Sequence, residues 1–440
     1  MEILVMAAQL ILGLSILVGL HEFGHLIAAK MFGMRVEKFS IGFPPKIFGV
    51  KFGETEYSFG AIPLGGFVKI SGMIDESLDT ENMSEEPQPW EFRSKPAWQR
   101  LIVMLGGIIM NVVLGIFIFI IIAYQYGETY YSKEEVNKYG INPSELAEGL
   151  GLREGDKIIK VNGEDYDRIS DTYDSDVILA TNAYYIVERD GKEVRIDIPD
   201  DFLNKLADSD GRESLIQPLQ PFKILRITNK EGGANKAGLQ AGDYIVSVNG
   251  IQTEFFHQLR RELGKNKGKE VNIKYRRDGT EKEVLASIDK NGAIGFEADI
   301  LLKRDTVTYS FIEAIPAGTV QAFKIIGDQL KAFRKIFRGD VNASKSLSGP
   351  IEIAKKLYGG IWHWLNFWTM TGLLSMVLAF MNLLPIPALD GGHVMFLLYE
   401  IVSGRKPGDK FLEVAQKVGM VLLLCLMAFA IFNDVFKAFT

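Results

Sequence analysis

The chain has 440 residues, enough for more than one domain, and 47% of them are hydrophobic, a high share for a purely soluble protein. Its formal charge is -6, and no basic stripe with interleaved aromatics stands out, which argues against nucleic acid as a partner. The lone cysteine, Cys425, lies inside an apolar run, so no internal disulfide framework is possible and it reads as a small buried or lipid-facing hydrophobe.

A bilayer core calls for about 20 mostly apolar residues per spanning helix, and four segments qualify. The first runs from residue 3 to about residue 30, within 1–30. No basic residue precedes its apolar stretch and no small-residue cleavage site follows it, so a retained transmembrane helix is expected rather than a signal peptide. Near its end stand His21, Glu22 and His25, water-seeking groups where a hydrophobic helix should be entering or crossing lipid. Residues 31–99 are expected to form a membrane-associated β region on the cytoplasmic side and an acidic loop. Within them, residues 36–70 are rich in glycine, aromatic and β-branched residues, with strands expected at 55–59 and 67–70 and turns at Gly53 and at Gly65 and Gly66. Residues 75–91 are acidic and aperiodic, the signature of a solvated loop. The second span covers residues 101–124, within 100–126.

Residues 127–303 read as soluble sequence and contain a repeat. Gly151-Leu152-x-x-Gly155-Asp156-x-Ile158-x-x-Val161-Asn162-Gly163 returns 87 residues later as Gly238-Leu239-x-x-Gly242-Asp243-x-Ile245-x-x-Val248-Asn249-Gly250, and Arg-Asp-Gly occurs at 189–191 and 277–279. So steady a register indicates two copies of one module, 127–220 and 221–303. Short alternating strands followed by turn dipeptides make each a small β-rich fold. The pattern resembles the PDZ domains of bacterial proteases, which hold extended peptides by adding them to a sheet edge; a pair of rigid spacers is the plainer alternative.

In residues 304–359, Phe323, Ile326, Leu330, Phe333 and Phe337 recur at spacings of three and four, with Lys324, Lys331, Arg334, Lys335 and Arg338 on other faces. This is an amphipathic helix, suited either to lipid headgroups or to packing against the repeat. The third span, residues 361–384 within 360–390, is interrupted by Pro385 and Pro387. Residues 391–440 are expected to hold a cytoplasmic loop and the fourth span, 418–432, extendable to Ala415 and Val435. Lys30, Arg35 and Lys38 follow span one, Arg93, Lys95 and Arg100 precede span two, and Arg405, Lys406, Lys410 and Lys417 separate spans three and four. Lysine and arginine favour the cytoplasmic side, so those two loops are expected inside and the repeat outside.

The chemistry begins at His21-Glu22-Phe23-Gly24-His25, an H-E-x-x-H pattern on a predicted helix. Residues four apart share a face, so both imidazoles reach one ion with Glu22 beside it. Zinc is favoured, because a catalytic zinc takes three protein ligands and leaves a fourth position open. The bland alternative, polar residues at a helix end, is weakened by the cost of ionisable groups inside a membrane segment. A metzincin-type third histidine is excluded, since Ala28 and Met31 stand where that pattern has glycine and histidine. The best remaining candidate is Asp390, just beyond the proline-broken end of span three; broken helices at membrane depth survive only where they are buried or line a wet cavity. Asp390 as a helix cap or turn residue remains the alternative there. His393 is read as structural or supporting, and His257 and His363 as ordinary polar residues.

H-E-F-G-H in the first span, Asn382-x-x-Pro385-x-Pro387-x-Leu389-Asp390-Gly391 at the end of the third, the PDZ-like pair and "IPLGGFVKI" together resemble the site-2 protease family of intramembrane zinc metalloproteases. "SGPIEIAKK" at 348–356 and "FND" at 432–434 fit the same resemblance, which runs over essentially the whole chain. It implies a polytopic α-helical membrane protein of the bacterial inner membrane, with four transmembrane helices, a small membrane-associated β-sheet and two tandem PDZ-like domains on the periplasmic side. It implies Zn2+ held by His21, His25 and Asp390, with Glu22 as general base and Asn382 holding substrate or stabilising the oxyanion. The sheet around residues 35–70, with Gly65, Gly66 and Phe67 as substrate-binding residues, would add the unwound substrate as a strand. The implied partners are the lipid bilayer and single-span membrane-protein substrates such as truncated anti-sigma factors and remnant signal peptides, with peptide at the PDZ-like pair as a further option.

Two other classes fit parts of the sequence. A non-catalytic scaffold that recruits partners through its PDZ-like modules has no need of Glu22. A metal transporter usually shows repeated spans with matching broken helices, whereas the repeat here is in the soluble part.

Overall fold

Inside lipid a backbone must satisfy its own hydrogen bonds, so an uninterrupted apolar run without proline folds as one helix. The first such run does so: α1 spans Glu2–Met31. The computed structural model describes residues 2–73, 86–208, 215–339, 353 and 358–439, in two compact units, one of Met1–Gly127 with Thr308–Thr440 and the other Glu128–Val307.

The first unit is a helical bundle with a long hairpin. After α1 come strands β1 (Val36–Phe52) and β2 (Thr55–Ile70). Among the described residues it also holds the helices α2 (Ala97–Tyr126), α3 (Phe311–Arg338), α4 (Trp364–Leu383), α5 (Asp390–Ser403) and α6 (Asp409–Phe439). Among the described residues, four stretches are long and apolar enough to cross a membrane: α1, α2, α4 and the Lys410–Ala430 part of α6.

The hairpin corrects the sequence reading. Gly53, at φ +60°, makes the expected turn, but Gly65 and Gly66 do not: β2 runs through them, and Gly66 pairs with Ile41. Residues 38–41 of β1 pair on one side with 56–59 and on the other with 66–69, so the two segments expected as separate strands flank a single arm of β1. Glycine is needed at 66 for clearance. A Cβ there would lie 2.7 Å from the Ser40 carbonyl oxygen and 2.9 Å from Val18 Cγ1 of α1. The inner half of the hairpin buries Val36, Val68 and Ile70 against Leu26, Ala29, Val103, Met104 and Val394.

The stretch expected as a loop after span three is helical as α5. The ion pair between Arg100 at the start of α2 and Glu400 near the end of α5 ties the two together, with the Arg100 side chain only 8% exposed. The amphipathic helix expected around residues 323–337 begins earlier, at a capping box formed by Ser310 and Glu313, and ends at Gly339 in the left-handed region. Its packing partners are α2 and α4: Gly318 lies against the backbone of Ile120, and Phe333 meets Phe380 edge-on at 5.4 Å. The acidic loop from 75 to 85 and all of "SGPIEIAKK" except Ile353 fall outside the described residues.

The second unit contains two apolar cores, one centred on Ile158, Tyr185 and Val187 and the other on Ile245, Val248 and Ile273. The repeated motif has one structural meaning in both. In the first copy β3 (Lys157–Val161), β4 (Tyr184–Arg189) and β5 (Lys192–Asp197) form an antiparallel sheet. Buried Asp156 accepts from Arg189 Nε and Nη2, both at 2.7 Å, and from the Arg153 amide at 2.8 Å. In the second copy Asp243 accepts from Arg277 Nε and Nη2, both at 2.6 Å, and from the Gln240 amide at 2.8 Å. Asp190-Gly191 and Asp278-Gly279 both hold positive φ, the requirement of a two-residue hairpin turn.

Candidate metal centre

His21 and His25 lie one turn apart on α1, almost fully buried, with ring centroids 4.9 Å apart. Their face meets α2 where α2 has no side chains. A Cβ on Gly24 would lie 2.2 Å from the Gly106 carbonyl oxygen, and one on Gly107 would lie 2.4 Å from His25 Nε2 and 2.7 Å from His21 Nε2. Only glycine lets the helices close to this distance, and Gly107 forms the floor beneath both imidazoles.

The third element arrives from α4. That helix stops at Leu383 because proline lacks an amide hydrogen and forces the preceding residue out of the helical region; Leu384, before Pro385, has φ -62° and ψ 144°. The chain crosses through residues 384–389, with Ala388 at φ +80°, and restarts as α5 at Asp390. The N-cap position is Leu389, with no side-chain cap, so the Asp390 carboxylate is not spent on capping.

It turns instead to the histidines. Asp390 Oδ2 lies 3.1 Å from His21 Nε2 and 3.4 Å from His25 Nε2, and the two Nε2 atoms are 3.3 Å apart. Despite these distances, the buried Asp390 Oδ2 has no hydrogen bond of good geometry among the described residues. The three atoms face a common centre more than they bond to one another. Zinc bonds of about 2.0–2.2 Å to nitrogen and oxygen at a tetrahedral angle put ligand atoms roughly 3.3 Å apart, so the triangle matches one face of a zinc tetrahedron. His25 Nδ1 lies 2.8 Å from the Val103 carbonyl oxygen, which takes the Nδ1 proton and leaves Nε2 free as a ligand.

Glu22 lies beside this triangle, between α1 and β2. A Cβ on Gly66 would come 3.3 Å from Glu22 Cγ. Asn382, at the end of α4, places Nδ2 3.4 Å from His21 Nε2. The structure therefore brings His21, His25, Asp390, Glu22, Asn382 and Gly66 together. Gly65 packs against the Phe43 ring, and Phe67 lies under the Lys38 ammonium at 5.3 Å, on the opposite face of the strand from Gly66. His393 is outside the triangle, His257 lies in the β-rich unit and His363 stands at the N-cap position of α4 without a side-chain capping bond.

The model for Peptidase family M50 matches residues 9–426. The chain belongs to that family. Its relatives include the regulator of sigma-E protease RseP of Escherichia coli, 30% identical over 97% of both chains. The regulator of sigma E protease of Haemophilus influenzae is 30% identical over 96% of this chain and 97% of its own. A Vibrio cholerae protein named as a zinc metalloprotease shows the same identity and coverage. This M50 chain is thus a zinc metalloprotease of membrane character.

Two residues at the centre escaped the sequence reading. Asn111 of α2, fully buried, has Nδ2 3.1 Å from His21 Nδ1, and Gly107 touches both rings. Asn111 carried a signal: it is the one strongly polar residue in the apolar run from 101 to 123, and such groups inside a span mark function. Gly107 carried none, since glycines are common in spanning helices.

Proposed function

We propose that this zinc metalloprotease is an intramembrane endopeptidase of the bacterial inner membrane that cuts single-span membrane proteins near the cytoplasmic side. The observation that carries the proposal is the triangle of His21, His25 and Asp390, assembled from two membrane-type helices and the break after one of them. In this reading the three residues hold the zinc, whose bound form acidifies water and polarises a carbonyl. Glu22 takes a proton from the attacking water on its carboxylate and delivers it to the leaving amide nitrogen. Asn382 Nδ2 donates to the oxygen on which negative charge develops.

A spanning helix hides its scissile carbonyls in its own hydrogen bonds, so substrate must be unwound first. Residues 66–70 of β2 pair with β1 along one side, and Gly66 lies against the Glu22 side chain. A substrate strand added beside this arm would exchange its lost helical bonds for sheet bonds within reach of the general base. Gly65, Gly66 and Phe67 belong to that docking strand. The two modules of the β-rich unit are read as PDZ-like and periplasmic, consistent with the charge clusters flanking the spans; they would admit membrane stubs such as truncated anti-sigma factors or remnant signal peptides.

The test compares wild type and Glu22→Gln in membranes with a truncated single-span substrate, with and without a zinc chelator. Cleavage by wild type alone, abolished by the chelator, is expected. Equal cleavage by both proteins would sink the mechanism.

A further inference from the structure

Asn111 is not among the residues assigned so far, and its surroundings define a task. It sits on α2 with its side chain wholly buried, and its amide lies 3.1 Å from His21 Nδ1, the nitrogen on the far side of the ring from the metal-facing Nε2. Its own backbone is pinned: the Ser375 hydroxyl of α4 donates to the Asn111 carbonyl oxygen at 2.8 Å. One residue therefore joins α1, α2 and α4 at the level of the donor triangle.

The proton inventory decides which amide atom faces the ring. His21 Nε2 points at Asp390 Oδ2 and His25 Nε2; to ligate, it must present a lone pair, so the proton of the neutral ring sits on Nδ1. An Nδ1 proton needs an acceptor, which the amide nitrogen cannot be. Amide oxygen and nitrogen have nearly the same shape, and their assignment follows chemistry. As placed, Asn111 Oδ1 is buried without a partner among the described residues while Nδ2 faces the ring. Exchanging the two gives the ring proton its acceptor. The same exchange leaves the other amide atom unpartnered, so packing alone does not choose between the orientations. Zinc ligation does.

Resting on the metal-site reading above, we infer that Asn111 is a positioning residue: its Oδ1 accepts the Nδ1 proton of His21, fixes the tautomer that ligates through Nε2, and holds the ring plane. It is the counterpart of the Val103 carbonyl, which does this for His25. A backbone carbonyl is available to His25 because α2 exposes one there. His21 lies one turn earlier on α1, and a side chain on α2 has to supply the oxygen.

The test measures zinc affinity by chelator competition on the full-length protein in detergent, for wild type, Asn111→Leu and Asn111→Asp. Leucine keeps the volume and removes the acceptor; aspartate keeps the acceptor and removes the donor. Loss of an outer-shell partner of a metal-bound histidine weakens affinity by about 10–100-fold. That loss is expected for Asn111→Leu, with near wild-type or tighter binding for Asn111→Asp. Metal-free Asn111→Leu should melt as metal-free wild type does, which separates lost ligation from lost folding. Tight binding by Asn111→Leu, or equal weakening by both variants, overturns the inference while wild-type zinc binding keeps the metal site standing. Absence of zinc from wild type overturns both.

Discussion

Gly107→Ala is a one-methyl perturbation aimed at the centre of the metal site. The added Cβ would lie 2.4 Å from His25 Nε2, 2.6 Å from His21 Cε1 and 2.7 Å from His21 Nε2, whereas ordinary contacts begin at 3.4 Å. One partner must therefore retreat by about 1 Å. The helices cannot supply this by sliding apart cheaply, because Gly24 and Gly106 already close the α1–α2 contact backbone to backbone and Ala28 packs beside them. Overpacking of this kind costs about 1–3 kcal/mol. The rings are the softer element, but zinc ligation tolerates displacements of only about 0.2 Å. A 1 Å misplacement at a reacting centre costs about 100-fold, equivalent to roughly 2.8 kcal/mol. Zinc affinity by chelator competition and cleavage of a single-span substrate should both fall by about that factor. Gly264→Ala, whose Cβ meets nothing within 4 Å, should leave both unchanged. Wild-type zinc affinity in Gly107→Ala would refute the reading of α2 as the floor of the site.

Gly66→Ala should lower cleavage at least about 10-fold while zinc stays bound, because the methyl would press on Ser40, Val18 and Glu22 rather than on the ligands; parallel loss of zinc would count against this placement of β2. Arg100→Met should destabilise the bundle by about 1–3 kcal/mol by leaving the partly buried Glu400 carboxylate without its cation, and Arg100→Met/Glu400→Leu should recover most of it; additive losses in thermal unfolding would contradict the pairing. Asp243→Ala removes the acceptor of three bonds in the second β module and should cost about 3 kcal/mol there. Hydrogen exchange should quicken around Ile245 and Ile273, with the core around Tyr185 protected as before; uniform quickening would show that the two modules unfold as one. His257 is partly buried 3.4 Å from Glu154, and burial lowers its pKa below the usual 6.5 despite that carboxylate. Such a histidine takes up its proton more readily when unfolded, so its contribution is full above about pH 6.5 and is lost as pH falls through the folded value. The melting temperature of the β-rich unit should fall below that pH, and His257→Gln should flatten the profile; superimposable profiles would discount the histidine.

What the sequence determined by itself is what depends on near neighbours along the chain. The four spans are legible because crossing a bilayer is a matter of apolar length within one segment. His21 and His25 form a pair because four residues make one turn, and the repeat is visible because Asp156 and Asp243, with Arg189 and Arg277, answer the same local packing problem twice. The break after Leu383 is likewise written in Pro385 and Pro387. Reading Gly65 and Gly66 as a turn failed because glycine marks both bends and close approaches, and only the position of α1 across Gly66 distinguishes the two.

The tertiary structure alone decided which distant groups share a point in space. Asp390 was one acidic residue near a helix break until its Oδ2 stood within 3.4 Å of both Nε2 atoms. Asn111, Gly106 and Gly107 acquire their roles only through the side of α2 that faces α1. Periodicity says which residues of a helix share a face, but not what that face meets. That is settled by how closely helices can approach, and here three glycines bring α1 and α2 together while a proline-ended helix delivers the carboxylate.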